Sequence, residues 1–87
     1  MKILKFGAIW CKDCLVMKSK WEEIENEMKL KTEYYDADDN PEILEKYNVK
    51  DVPVFIFLDK NSNEILRLMG VQNKEDLIEK IKENSDK

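Results

Sequence analysis

Trp10-Cys11-Lys12-Asp13-Cys14 is the stretch on which the reading of this 87-residue chain turns. Before it runs Lys2–Ile9 (KILKFGAI), mostly apolar and without a helical period. That pattern fits a buried strand built on Ile3, Phe6 and Ile9. After it, from Cys14 to Lys29, Met17, Trp21, Ile24 and Met28 recur at helical spacing, and Leu15 widens the stripe. Lys18, Lys20, Glu22, Glu23 and Glu25 fall elsewhere, and Glu22–Glu27 reads as a solvated helix face. The cysteines therefore sit where a strand hands over to a helix. A helix start offers unpaired N–H groups and the positive end of the helix dipole. Both stabilise a thiolate, the nucleophilic form of cysteine. Cys11 at the cap is expected to feel this most and to stay partly exposed, with Cys14 one turn in and more buried. At this spacing the sulfurs can bond across the first turn. One can attack an external disulfide, and the other can release the product from the mixed disulfide.

Outward from the motif, Lys31–Asp36 (KTEYYD) is a short strand. Asn40-Pro41-Glu42 starts a helix, with Asn as cap, Pro at the first position and an acid in the first turn. Ile43, Leu44 and Tyr47 give that helix one apolar side, and Asn48 ends it in a left-handed conformation. Val52–Leu58 (VPVFIFL) is the most apolar run and the expected central strand. Asp59–Asn63 is turn chemistry joining it to Glu64–Met69 in a hairpin. Asn73 with Asp76 three residues on marks a last helix, whose Leu77, Ile78 and Ile81 face the core. Asn84–Lys87 should fray. The order is βα, βα, ββ, α in one domain spanning 1–87. The first two strands should be parallel, joined by a right-handed crossover.

Composition narrows the function. Leu, Ile, Val and Phe supply 24 of 87 residues, enough for a core. The charges are many but nearly balanced, 15 basic against 19 acidic, which disfavours nucleic acid as a partner. No apolar run is long enough to span a membrane, and no signal-peptide core follows Met1. The absence of histidine removes His-based general bases and most zinc sites. Asp36, Asp38 and Asn40 have the spacing of a calcium loop, but its sixth position would be Pro41 and its twelfth Tyr47, so no metal is expected. Met17 and Met28 read as core. Two cysteines so close together stabilise little as architecture, so the pair points to redox or metal chemistry. Two small buried hydrophobes, or half of a zinc site shared between two chains, remain alternatives.

Val52-Pro53 adds a second signal. Proline cannot donate to a sheet ladder and is unusual at the opening of a central strand. A cis bond there is one reason to keep it, leaving the Val52 N–H and C=O free to pair with an extended peptide. An ordinary trans proline at a strand start is the plainer alternative. Trp10 is either a packing residue or a partly exposed one beside Cys11.

On Trp10-Cys11-x-x-Cys14, Val52-Pro53, Gly70 after the final strand, Asp38-x-Asn40-Pro41 and Tyr47-Asn48-Val49, the chain resembles the thioredoxin family over essentially its whole length. The resemblance implies an α/β thioredoxin fold. Its four-stranded mixed sheet (β-α-β-α-β-β-α) would be flanked by helices and would lack the N-terminal strand and helix of full-length members. It implies reduction of protein disulfides, with Cys11 attacking and Cys14 resolving. Val52 and Pro53 would shape a peptide groove flanked by Trp10 and Gly70. It implies no cofactor beyond the redox-active Cys11–Cys14 disulfide, an electron donor such as a thioredoxin reductase, and a monomer in the cytoplasm.

The chain also departs from the family pattern. Lys12-Asp13 replaces Gly-Pro between the cysteines. Lys12 favours a thiolate and Asp13 opposes it. The family's buried acid falls at Lys5 and its lysine partner at Tyr34. Lys5 is then a surface residue on its strand or a cation near the sulfurs. Ser19 stands where the family has a kinking proline. A glutaredoxin-like, glutathione-linked reductase is the nearest alternative, though Gly70-Val71-Gln72 lacks that branch's Gly-Gly and acidic pair. A non-catalytic peptide-binding module is another.

Overall fold

Side chains alternate across a strand, and along the first strand both faces are apolar except at Lys2 and Lys5. A strand of that kind belongs inside a sheet covered on two sides. The computed structural model, which describes residues Met1–Lys87, places it there. The elements are β1 (Lys2–Gly7), α1 (Lys12–Met28), β2 (Glu33–Asp36), α2 (Pro41–Lys46), β3 (Val54–Leu58), β4 (Glu64–Met69) and α3 (Lys74–Asn84). The sheet order is β2-β1-β3-β4. β1 runs parallel to β2 and antiparallel to β3, and β3 and β4 form the antiparallel hairpin. The expected central strand thus shares the middle of the sheet with β1, and all five residues of β3 are buried.

Each sheet face has its own core. Ile3, Phe55 and Phe57 pack against Met17, Trp21 and Ile24 of α1 and Leu77 and Ile81 of α3. On the other face Leu4, Phe6, Val54, Ile56 and Leu58 pack with Val49, covered by half-buried Ile43, Leu44 and Tyr47 around α2. Three layers result, with α1 and α3 on one side and α2 on the other.

Several local expectations change. β1 stops at Gly7, and Ile9 is 80 % exposed, outside the core. Leu15 is exposed too, because the buried stripe of α1 runs through Cys14, Met17, Trp21 and Ile24, about 100° around the helix from it. β2 and β3 each begin two residues later than expected, β3 at Val54 because Pro53 has no N–H to give the ladder. Ile78 is only half-buried, at the margin of the α1–α3 core. Asn73 caps α3 through its side chain, which accepts from the N–H groups of Glu75 (2.8 Å) and Asp76 (3.4 Å). Asn40 does not cap α2: its amide instead donates to the Asp36 carbonyl at 3.1 Å. Asn48 has φ of 55°, the left-handed stop read from its type.

Candidate active site at the start of helix α1

The turn after β1 delivers Cys11 to the first position before α1. The Cys11 N–H donates to the Ala8 carbonyl at 3.2 Å, and the Cys11 carbonyl accepts the first helical bond, from Leu15, at 3.2 Å. Cys11 is extended (φ −91°, ψ 112°) and is the N-cap residue. Its sulfur does the capping, accepting the Cys14 N–H at 3.2 Å. A serine or aspartate oxygen usually holds that position, so a Cys11 thiolate there would receive an N–H and the dipole end together. Cys11 and Cys14 are joined as a disulfide, with their Cα atoms 5.2 Å apart.

The expected contrast in exposure is absent. Cys11 is 8 % and Cys14 9 % exposed, and both pack in a small cluster with Ala8, Ala37 and Val52. What projects from the site is its collar: Ile9, Trp10 at 67 % exposure, and the first-turn residues Lys12 and Asp13. The sulfurs lie at the floor of a surface rather than on a knob.

Trp10 does not swing freely. Its indole N–H donates to the Asp38 carboxylate at 3.0 Å, and Asp36 accepts the Asp38 N–H at 2.9 Å. In the sequence Asp38 stands out only for its calcium-loop spacing and the Asp38-x-Asn40-Pro41 match; its partner lies 28 residues away, where no periodicity points. On the other side of the disulfide the Val52 carbonyl lies 3.8 Å from the Cys11 sulfur. The Val52–Pro53 peptide is cis. The Gly70 N–H donates to the Pro53 carbonyl at 2.9 Å, and Gly70 has φ of 83°, a backbone conformation that favours glycine. Val52, Pro53 and Gly70 thereby line one hollow of about 250 Å³, with Met69 and Arg67 beside them. Arg67 is another residue the sequence did not single out. It pairs with Glu64 and donates to the Tyr47 (2.6 Å) and Asn48 (3.3 Å) carbonyls, tying the segment before Val52 to β4.

Lys5 fits neither of its two expectations. Its side chain is only 15 % exposed, its ammonium is 3.0 Å from a Glu25 oxygen, and it lies 5.7 Å from the centre of the Trp21 ring. Glu25 is eleven residues beyond Cys14 on α1, about 16 Å along the axis at 1.5 Å per residue. The cation is therefore directed away from the sulfurs, and Glu25 is its counter-ion rather than one more solvated acid. Lys5 and Cys14 lie on the wall of the same cavity, about 400 Å³, between β1, β2 and α1. No three cysteine or carboxylate side chains converge as they would around a metal ion.

A capping cysteine bonded to a second one a turn later, facing the peptide before a proline, is chemistry that recurs in known proteins. The family model described as thioredoxin matches residues 1–83. This chain belongs to the thioredoxin family. It is 38% identical over 84 residues to thioredoxin H5 of Oryza sativa subsp. japonica, covering 93% of this chain and 59% of that protein. It is 33% identical to the thioredoxin of Rickettsia bellii, over 94% of this chain and 79% of that one. Among solved structures, thioredoxin 1 from Thermosipho africanus superposes with a TM-score of 0.81 at 31% identity, covering both chains completely. The thioredoxin fold and the Cys11–Cys14 disulfide make this chain a thiol–disulfide oxidoreductase.

Proposed function

We propose that the chain works as a reductant of protein disulfides. Cys11 is the attacking thiol and Cys14 the resolving one. The observation that carries this is the Cys11 sulfur at the N-cap, accepting the Cys14 N–H while facing the Val52 carbonyl 3.8 Å away. In the reduced protein the Cys11 thiolate attacks one sulfur of the target, forming a Cys11–target bond and releasing the other target sulfur as a thiolate. The Cys14 thiolate then attacks Cys11, forming the intramolecular disulfide and releasing the second target thiolate. Two electrons have passed to the target. A dithiol donor, such as a thioredoxin reductase, returns them.

Val52, Pro53, Trp10 and Gly70 position the target. The Val52 N–H and C=O take no part in the backbone hydrogen bonds of the fold, so they are free to pair with an extended segment. Exposed Ile9, Trp10, Met69 and Val71 supply the apolar surround. Lys12 and Asp13 tune the thiol from the first turn. Lys5, held by Glu25 at 3.0 Å, contributes little to that tuning. The disulfide is the only prosthetic chemistry required, and the working state is a monomer in the reducing cytoplasm. No helix is long and apolar enough to cross a membrane.

Insulin reduction tests the scheme. Cys11→Ser should abolish turnover. Cys14→Ser should accumulate a covalent complex with insulin that is cleaved by added dithiothreitol. Free turnover by the Cys14→Ser protein, with no trapped complex, would overturn the two-cysteine scheme.

A further inference from the structure

The helix start serves Cys11, whose sulfur takes the Cys14 N–H. Cys14 has no comparable donor from the helix, yet the scheme above needs it as a thiolate. Its surroundings on the cavity side show where one can come from. A Cβ placed on Gly7 would lie 3.1 Å from the Tyr34 hydroxyl oxygen, 3.2 Å from the Tyr34 ring and 3.4 Å from the Cys14 Cβ. Tyr34, opposite Lys5 in the β1–β2 register, thus reaches across β1 toward α1. Its hydroxyl and the Cys14 Cβ both border the bare backbone of Gly7.

The competing donors in that cavity are committed to another partner or exposed. Lys5 is bound to Glu25 at 3.0 Å. Lys18, one turn beyond Cys14 on α1, lines the same cavity but is exposed to water, and Glu22 there offers a carboxylate, which accepts. The Tyr34 hydroxyl has no partner in the chain, whereas the next tyrosine, Tyr35, gives its hydroxyl to Glu33 at 2.6 Å.

We propose that the Tyr34 hydroxyl donates a hydrogen bond to the Cys14 sulfur when the disulfide is open, holding that sulfur as a thiolate for its attack on the mixed disulfide. The assignment rests on the two-cysteine scheme. Tyr34 keeps its proton throughout. Tyr34 is 56 % exposed; partial desolvation first, then the charges of Asp36 and Asp39, raises its phenol above the usual value of 10.0, so near neutral pH it donates and does not act as a base. The Cys14 proton leaves to water. The Cys14–Cys11 bond forms as the Cys11–target bond breaks, and the target sulfur departs with the electron pair. A hydrogen bond to a charged group favours that charge, so its loss should be readable as a shift in thiol titration.

The test is stopped-flow oxidation of the reduced protein by an aromatic disulfide that releases a coloured thiolate. The first equivalent reports attack by Cys11 and the second reports resolution by Cys14. Tyr34→Phe keeps the ring and removes the donor. It should raise the pH midpoint of the second phase by about one unit and slow that phase about tenfold near pH 7, leaving the first phase unchanged. Gly7→Ala, which crowds Tyr34 and Cys14 apart, should shift the midpoint in the same direction. A second phase with the same midpoint in Tyr34→Phe as in the wild type overturns the assignment to Tyr34 alone. A wild-type protein with no second phase removes the two-cysteine scheme beneath it.

Discussion

Trp10 shows how one side chain beside the disulfide is held by a residue distant in sequence. Its indole reaches Asp38, and Asp38 is itself fixed by Asp36. Asp38→Ala should free the ring without touching either sulfur. We expect the KM for a protein disulfide to rise roughly threefold to tenfold, the scale of one exposed hydrogen bond, with kcat and the rate toward a small aromatic disulfide unchanged. Steady-state kinetics with both substrates checks this split. Lys5→Met should leave the redox potential nearly unmoved, because the ammonium already faces Glu25 and points away from Cys14. The cysteines, Pro53 and Gly70 were legible because spacing and residue type announce them. The contacts of Asp38, Glu25 and Tyr34 were not, because each is made 20 or more residues away or across a neighbouring strand.

Two asparagines that look alike at helix starts separate at the level of the element. Asn73 gives its side-chain oxygen to two N–H groups of α3, while Asn40 turns its amide back to Asp36. Asn73→Ala should cost about 1 kcal/mol of stability, and Asn40→Ala clearly less as a cap, compared by urea unfolding. Residue type marks both as helix starts. It does not say which way the side chain turns, since that depends on the preceding chain, where Asn40 has φ of −132° and Asn73 has φ of −78° and ψ of 140°. β3 was legible as the most apolar run. Leu15 and Ile9 were misread because an apolar residue one step off a stripe or beyond a strand end looks the same in sequence as one inside it. At this site such residues are the exposed collar of the disulfide.

Over the whole molecule the alternation of strands and helices made the parallel β1–β2 pair and the β3–β4 hairpin legible, and with them the three layers. Acid should loosen the fold through a few carboxylates. The Arg67 side chain holds Glu64 below its ordinary value of 4.5, and the Tyr35 hydroxyl does the same for Glu33. Asp59 is lowered by the Asn63 N–H. A carboxyl whose folded value is depressed contributes stability above its unfolded value, and that stability is lost as pH falls through the folded one. Urea midpoints should therefore hold from pH 7 to about pH 5 and decline below about pH 4.5, with a shallower decline in Glu64→Gln. Midpoints that stayed flat to pH 3 would contradict the assignment.

The central claim is that Cys11 and Cys14 form a working dithiol–disulfide couple, and its reduction potential tests that most directly. Tryptophan fluorescence, checked by thiol alkylation, can follow the couple through a series of thiol/disulfide buffers. The account predicts one reversible two-electron transition near the thioredoxin level of about −270 mV. A midpoint near about −120 mV would contradict the reductant direction, and no reversible two-electron transition at all would contradict the claim itself.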